Sequence, residues 1–334
     1  VTDYRASLDR LGPHALALLE DAARGRRVRI ARRGATVLGI EATHRGRPVA
    51  LADGYRDAAE LEGHVNSRFA VMAPFANRVA DARYVFDGVA HDLQPGVAGA
   101  ARGARHGFVR GVDFELAELD AAAHGARAVF STRAIRPGAH PGYPFTIDLE
   151  VRYTLDADGL TLEARMRNAG ETAAPCFFGW HPYFRLGEAP LAGLELGVPA
   201  ATRVRTDAAL LPLPGAEAYA PVADAPALDF RAPRTIGDAR LDLAYADLAR
   251  DADGRARTRL RDPASGLGIA VWQEHGVMLA FTADTVARDR RGAIALEPME
   301  SLSDAFNRPD CAAAIRLEPG AERRFRCGVE METL

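Results

Sequence analysis

The stretch TIDLEVRYT (residues 146–154) alternates without a break. Ile147, Leu149, Val151 and Tyr153 point one way; Asp148, Glu150, Arg152 and Thr154 point the other. A period of two marks a strand with one buried face. The turn Asp156-Ala157-Asp158-Gly159 follows, and Leu160, Leu162, Ala164 and Met166 resume the alternation. Two alternating runs about a glycine-containing turn predict an antiparallel hairpin.

The same pattern recurs outward from this hairpin. RYVFDGVAHDL (residues 83–93) holds Asp87-Gly88, which suits a type I′ turn where both central residues need positive φ. Further strands are expected at 28–30, 36–41, 268–272, 277–282, 293–296 and 323–330. The clusters GAEAYAPVADAPA (215–227) and RDADGRAR (250–257) read as loops. DRLGPHALALLEDAA (residues 9–23) has leucines at helical spacing and predicts one short helix. There is no βαβ alternation and no glycine-rich phosphate loop after a strand. The expected fold is all-β, a large antiparallel β-sandwich forming a single domain over residues 1–334.

Hydrophobic residues make up 48% and charged residues 26%, which suits a globular chain with a sizeable core. A net charge of −3, with no basic stripe interleaved by aromatics, argues against a nucleic-acid partner. Cys176, Cys311 and Cys327 are too few and too scattered for a disulfide framework or a zinc site, which fits a reducing compartment. The polar start VTDYRASLDRLG lacks the apolar core of a signal peptide, and no run is long enough to span a bilayer. The expectation is a cytoplasmic protein. Every basic residue is arginine; without lysine, Schiff-base chemistry and a Walker-type phosphate loop are excluded.

Four stretches put polar residues where a core or its rim should lie. APFANRV (73–79) carries Asn77 and Arg78 in an apolar segment, and an arginine is rarely buried unpaired because desolvation costs several kcal/mol. RHGFVRG (105–111) follows His106 with Gly107, which permits a turn aiming the ring at a cleft. GWHPYF (179–184) holds His181 among aromatics, with Pro182 stiffening the backbone after it. ALEPMESLSDAFNR (295–308) sets Glu297 at the end of an apolar run before Pro298, where partial desolvation raises a carboxyl toward the range of a general base. Asp242 in RLDLAYADL is a fifth candidate, with Asp247 nearby. Against each stands a plain structural role: an ion pair for Arg78, a carbonyl-bonded core ring for either histidine, a surface carboxylate for Glu297. There is no G-x-S-x-G, H-E-x-x-H or C-x-x-C, so no metal is implied, and the mix points to acid/base chemistry on a neutral polar ligand.

Taken together and in order, these stretches resemble the aldose 1-epimerase (mutarotase) family. NRV followed by RYVFDGVAHDL is similar to its N-R-I and following G-x-Y-x-F-D-G pattern, and RHGFVRG to its H-G segment. The run from GYPF through GLTLEARMRNAG to APCFFGWHPYFRL resembles the stretch ending in G-x-H-P-Y-F. FRAPRTIGDARLD and LEPMESLSDAFN resemble the stretches that supply an aspartate and a glutamate. APFANRV is closer to the P-[WF]-x-N-R-I branch than to the galactose-specific branch, and Met278 stands where galactose-type members carry a sugar-binding glutamine, with Gln273 close but out of register.

The resemblance implies the galactose-mutarotase-like super-sandwich and interconversion of α and β anomers of a free aldose, without cofactor or metal. By motif position, Glu297 would be the base on the anomeric hydroxyl and His181 the acid on the ring oxygen. His106, Arg78 and Asp242 would bind the sugar, with Asn77 beside them. The expected partner is a small monosaccharide, with the chain a monomer or homodimer. The alternatives are a hexose-6-phosphate 1-epimerase, a glycoside hydrolase using Asp242 and Glu297, and a non-catalytic sugar-binding protein.

Overall fold

The computed structural model describes residues 3–333. Strand Ile147–Leu155 pairs with Gly159–Asn168, from Ile147 opposite Asn168 to Leu155 opposite Leu160. The odd-numbered residues of Ile147–Leu155 are buried and the even ones half-buried, as the alternation requires. This hairpin lies within a nine-stranded sheet. The long strand Glu322–Thr333 joins it to Leu267–Gln273 by ladders on both sides.

Facing elements complete the sandwich. An eight-stranded sheet runs in the order Tyr219–Pro221, Ala200–Val204, Asp242–Leu248, Val277–Phe281, Ile294–Met299, Gly179–His181, Ala70–Met72, with Tyr183–Phe184 also on Ile294–Met299. A five-stranded sheet over Tyr4–Leu11, His14–Asp21, Arg26–Ala31, Thr36–His44 and Arg47–Ala50 packs on the edge strand Glu115–Ala122 and its neighbour Gly125–Ile135 of the nine-stranded sheet. The ladders are antiparallel. One apolar cluster reaches from Tyr4 to Val329 and draws on all three sheets. Residues 1, 2 and 334 of the expected span lie outside the described residues.

The strands expected at 28–30, 36–41, 268–272, 277–282, 293–296 and 323–330 are all found, with ends shifted by a few residues. Asp87 and Gly88 both take positive φ, 49° and 79°, closing the hairpin Arg83–Phe86 with Val89–Asp92. The region 215–227 is more ordered than a plain loop: it holds three short 3-10 turns and the strand Tyr219–Pro221.

The helix expected at 9–23 is not formed. Tyr4–Leu11 and His14–Asp21 are strands joined at Gly12-Pro13, with Leu11 opposite His14 and Gly12 at φ 57°. Leu16 faces a small cluster with Ala31, Leu38, Tyr55 and Leu61, while Ala17 and Leu19 face the main core. A strand covered on both faces loses its alternation and reads as a continuous apolar run, which mimics helical spacing. The residues on either side supply the ladder partners, and Pro13 suits a turn better than a helix interior.

Among the described residues no helix is long and apolar enough to cross a membrane. Cys176, Cys311 and Cys327 are free and buried.

The packing makes a contrast measurable by urea unfolding. Leu19→Ala, at a fully buried position, should cost about 2–5 kcal/mol. Leu8→Ser, on the same sheet but 69% exposed, should change stability by no more than about 0.5 kcal/mol. Similar losses at both sites would contradict this register.

Candidate active site

The site is built on one face of the eight-stranded sheet, two rows deep. Gly179 is opposite Met299 and Tyr183 is opposite Ala295, so the same register carries His181 opposite Glu297. Glu297 is opposite Leu279, and Leu279 opposite Ala244. Two residues along, Tyr183, Ala295, Phe281 and Asp242 form the next row. Because strand side chains alternate, both rows project from one face. Glu297 is not at a strand end, as the sequence suggested; its strand continues through Pro298 to Met299. Pro298 and Pro182 occupy the stretch where the ladder to Gly179–His181 and Tyr183–Phe184 is interrupted, so neither ring removes a needed donor.

The remaining walls are irregular segments. Asn77 and His106 take positive φ, 57° and 59°. They are tied together by His106 N–H donating to Asn77 O at 2.8 Å, and Phe108 N–H donates to Ala73 O at 2.8 Å. Gly107 allows this approach: its φ is 64° and a Cβ there would lie 2.0 Å from Ala73 O. Gly179 is equally confined, since a Cβ would lie 2.6 Å from Ala76 Cβ and 2.8 Å from Met72 Cε. Asn66 and Ser67 close another side from a turn with positive φ at both.

These pieces enclose a cavity of about 380 Å³. Asn77, Arg78, His106, His181, Asp242 and Glu297 all line it. His181 Nε2 lies 3.2 Å from Glu297 Oε1, and both side chains are buried. Glu297 Oε2 and His181 Nδ1 have no hydrogen-bond partner among the described residues. His181 stacks on Tyr183, ring centroids 5.2 Å apart, and meets the edge of His106 at 5.1 Å. Behind Tyr183, the buried Arg68 guanidinium sits 4.7 Å from the ring and is held by Asp53. His106 Nδ1 lies 2.8 Å from Met72 Sδ. A thioether can only accept, so Nδ1 carries the proton and Nε2 of the neutral ring is an acceptor.

Arg78 donates to Asn77 Oδ1 at 2.7 Å and makes no ion pair among the described residues. Asp242 sits at the accessible rim. Asp247 accepts from Thr202 Oγ1 at 2.5 Å and is not part of the cavity.

Burial pushes the Glu297 carboxyl well above its usual range; the Asp242 charge adds to this and Arg78 opposes it. Burial takes the His181 imidazole down to about 3, with Arg110 and Arg68 adding to the effect. His106 is also held well below its usual value, by burial first and then by the His181 ring and the nearby arginines. Enclosure raises Asp242, against the pull of Arg78 and Arg105. With one constant raised and the other lowered, Glu297 and His181 hold a single proton between them over a wide pH span. A paired carboxyl and imidazole with one shared proton can give a proton at one atom and accept one at another.

The family model described as Aldose 1-epimerase matches residues 17–330. The chain belongs to the aldose 1-epimerase family. It is 31% identical over 309 residues to galactose mutarotase of Homo sapiens, covering 88% of this chain and 86% of that protein. It is 25% identical over 248 residues to the uncharacterized protein YihR of Escherichia coli K12, covering 71% of each. Its fold matches the galactose 1-epimerase of Lactobacillus acidophilus with a TM-score of 0.81 at 18% identity, covering 99% of both chains. A galactose mutarotase-like protein of Clostridium acetobutylicum gives 0.82 at 15% identity, again over 99% of both. The super-sandwich expected from the sequence is therefore the fold, and membership in an aldose epimerase family makes the chain an epimerase-type protein directed at a sugar.

Within this aldose 1-epimerase fold two sequence assignments change. Met278 does not face the cavity: it is fully buried on the opposite side of its strand, and the cavity-facing neighbours are Leu279 and Phe281. Gln273 is also buried, donating to His275 O at 2.7 Å and Val277 O at 3.1 Å. Sequence reasoning also passed over Tyr183, Arg105 and Arg110, although all three lie inside quoted stretches, and over Asn66 and Ser67. Arg105 and Arg110 stand on either side of His106, and their number within seven residues was the available signal.

The fit around Gly107 is testable by thermal or urea unfolding together with activity. Gly107→Ala should cost more than about 1 kcal/mol and lower turnover by displacing His106. Gly103→Ala, with open space and ordinary φ, should stay within about 0.5 kcal/mol. Equal effects would mean that the Ala73 contact does not shape the site.

Proposed function

We propose that the protein is an aldose 1-epimerase that interconverts the α and β anomers of a free aldose by acid/base ring opening and reclosure. The observation that carries this is the 3.2 Å contact between His181 and Glu297 within the cavity. Glu297 takes the proton from the anomeric hydroxyl while His181 gives one to the ring oxygen. The C1–O5 bond breaks, the aldehyde forms, rotation about C1–C2 exposes the other carbonyl face, and reclosure runs the transfers in reverse. The pair begins and ends with the same proton count, so the reaction needs no redox partner and no cofactor.

This route starts with Glu297 as carboxylate and His181 as imidazolium. Burial favours the neutral arrangement, and Arg78 favours the carboxylate. The two arrangements differ only by one proton moved across the 3.2 Å contact, so the pair interconverts them without solvent exchange. Arg78 and Asp242 then bind sugar oxygens, His106 Nε2 accepts from a hydroxyl, and Asn77 orients Arg78. The APFANRV segment supports the P-[WF]-x-N-R-I branch over the galactose-specific one. A glycoside hydrolase would use two carboxylates flanking the bond and would leave His181, in contact with Glu297, without a role.

Polarimetry of freshly dissolved α-anomers tests this reading. The wild-type protein should accelerate mutarotation of at least one aldose. Glu297→Gln and His181→Asn, checked for native circular dichroism, should each lose about 10²–10⁴-fold in kcat. Wild-type rates in a folded His181→Asn would rule out the acid assignment, and no acceleration of any sugar would favour a binding protein.

A second outcome concerns pH. The active form holds one proton on the pair. Acidification adds a second proton only below the lowered His181 constant, and alkalisation removes the last only above the raised Glu297 constant. After subtraction of the uncatalysed rate, the acid limb of kcat/KM should fall well below the ordinary imidazole pKa of about 6.5. A limb at or above that value would contradict the buried pair.

A further inference from the structure

The His181 ring is held from one side only. Its Nε2 faces Glu297, and its Nδ1 has no hydrogen-bond partner among the described residues. A histidine that moves protons is ordinarily fixed by a partner on its other nitrogen. Here the plane of the ring is left to its neighbours: Tyr183, stacked on it with the rings 12° from parallel, and the edge of His106. Tyr183 is held in turn. Its hydroxyl donates to Asn66 O at 3.2 Å, and the Arg68 guanidinium lies 4.7 Å from the ring centre. Arg68 is 1% exposed, and the carboxylate it pairs with is Asp53.

Asp53 is itself buried and lies outside the cavity. Its N–H donates to Tyr183 O at 2.9 Å. Its Oδ2 accepts from Arg68 Nη1, which also donates to Asp53 O at 2.9 Å. Its Oδ1 accepts from Arg288 Nη1 at 3.0 Å. Arg288 belongs to the irregular segment 282–293, and Thr285 and Val286 of that segment line the cavity. Glu60 already holds Arg288, accepting from Nε at 2.7 Å and from Nη2 at 3.1 Å, so the arginine's charge does not need Asp53. What the extra bond adds is a fixed distance between this segment and the ring stack. A carboxylate suits the position because both oxygens accept; an amide would turn N–H donors toward a guanidinium. We propose that Asp53 is a positioning residue of the reaction. Through Arg68 and Tyr183 it sets the plane of the His181 ring, and through Arg288 it holds residues 285 and 286 against the bound sugar. The inference rests on the epimerase reading.

The test is steady-state polarimetry on the aldose that the wild type turns over fastest, with hydrogen exchange of residues 283–292. The two carboxylate oxygens give different signatures. Asp53→Asn, native by circular dichroism, should lose roughly tenfold to a hundredfold in kcat, the cost of a misplaced acid. Arg288→Gln should act mainly on KM, raising it by roughly tenfold, the scale of one charged hydrogen bond, and should exchange faster at 283–292. Asp21→Asn removes a comparably buried carboxylate, paired with Arg24 away from the cavity, and should lose stability with kcat and KM intact. A merely structural Asp53 would behave as Asp21 does, and that result overturns the inference, as does an unchanged KM in Arg288→Gln. If Asp53→Asn does not fold, Arg288→Gln, at the partly exposed end of the network, decides by its KM. A wild type that turns over no aldose fails the epimerase reading instead; exchange at 283–292 left unchanged by Arg288→Gln would then overturn the tether as well.

Discussion

A carboxyl and an imidazole sit side by side in a sheet interior, and much of the surrounding structure is organised around that contact. Each group alone would be costly to bury; together, with one shared proton, they present no net charge to the core. The contact depends on register. Glu297 is on a central strand with Val277–Phe281 on one side and the interrupted pair Gly179–His181 and Tyr183–Phe184 on the other. A one-residue slip of either partner would turn its polar side chain to the other face. Gly179, hemmed in by Ala76, Met72 and Met299, and the tight hydrogen bond from Asp53 N–H to Tyr183 O at 2.9 Å hold the 179–184 segment in place.

The other polar walls are supported differently. Asn66, Ser67, Asn77 and His106 all have left-handed backbones, and all line the cavity. Such residues are held by what surrounds them. Here an aromatic base does so: Phe75 packs edge-on against Phe108 at 5.4 Å and against Phe306 at 5.5 Å, beneath the segments that carry Asn77 and His106. The sheet floor carries Glu297 and His181, and the irregular rim carries Asn66, Ser67, Asn77 and His106.

What could be read from the sequence follows from this division. Strands with one buried face announced themselves by alternation, as in residues 146–168. Residues 9–23 did not, because His14–Asp21 is covered on both sides and its leucines lost their period. Glu297 and His181 were legible because a titratable residue inside an apolar run is costly and therefore informative. Met278 was misjudged by one position, and in a strand one position is the difference between cavity and core; only the ladder to Glu297 identifies Leu279 as the neighbour. Arg105 and Arg110 were hidden by abundance. In a chain whose 42 basic residues are all arginine, no single one stands out from the sequence. Asn66 and Ser67 gave no periodic signal because they belong to a turn.

The burial of Met278 and the unpaired arginines of the rim have a common consequence. With Leu279 and Phe281 beside Glu297, the floor next to the proton-transfer pair is apolar and offers a sugar ring's C–H faces little more than contact area. Orientation must then come from elsewhere, since either end of a pyranose would otherwise fit against such a surface equally well. The directional groups are on the rim: Asp242, Arg78, Arg105 cross-strand from Arg78, and Arg110 pinned by Ser67. In the proposed reaction, a sugar hydrogen-bonded at the rim would present its anomeric end to Glu297 and His181. For that reaction an apolar floor and a polar rim would work together to orient the ring.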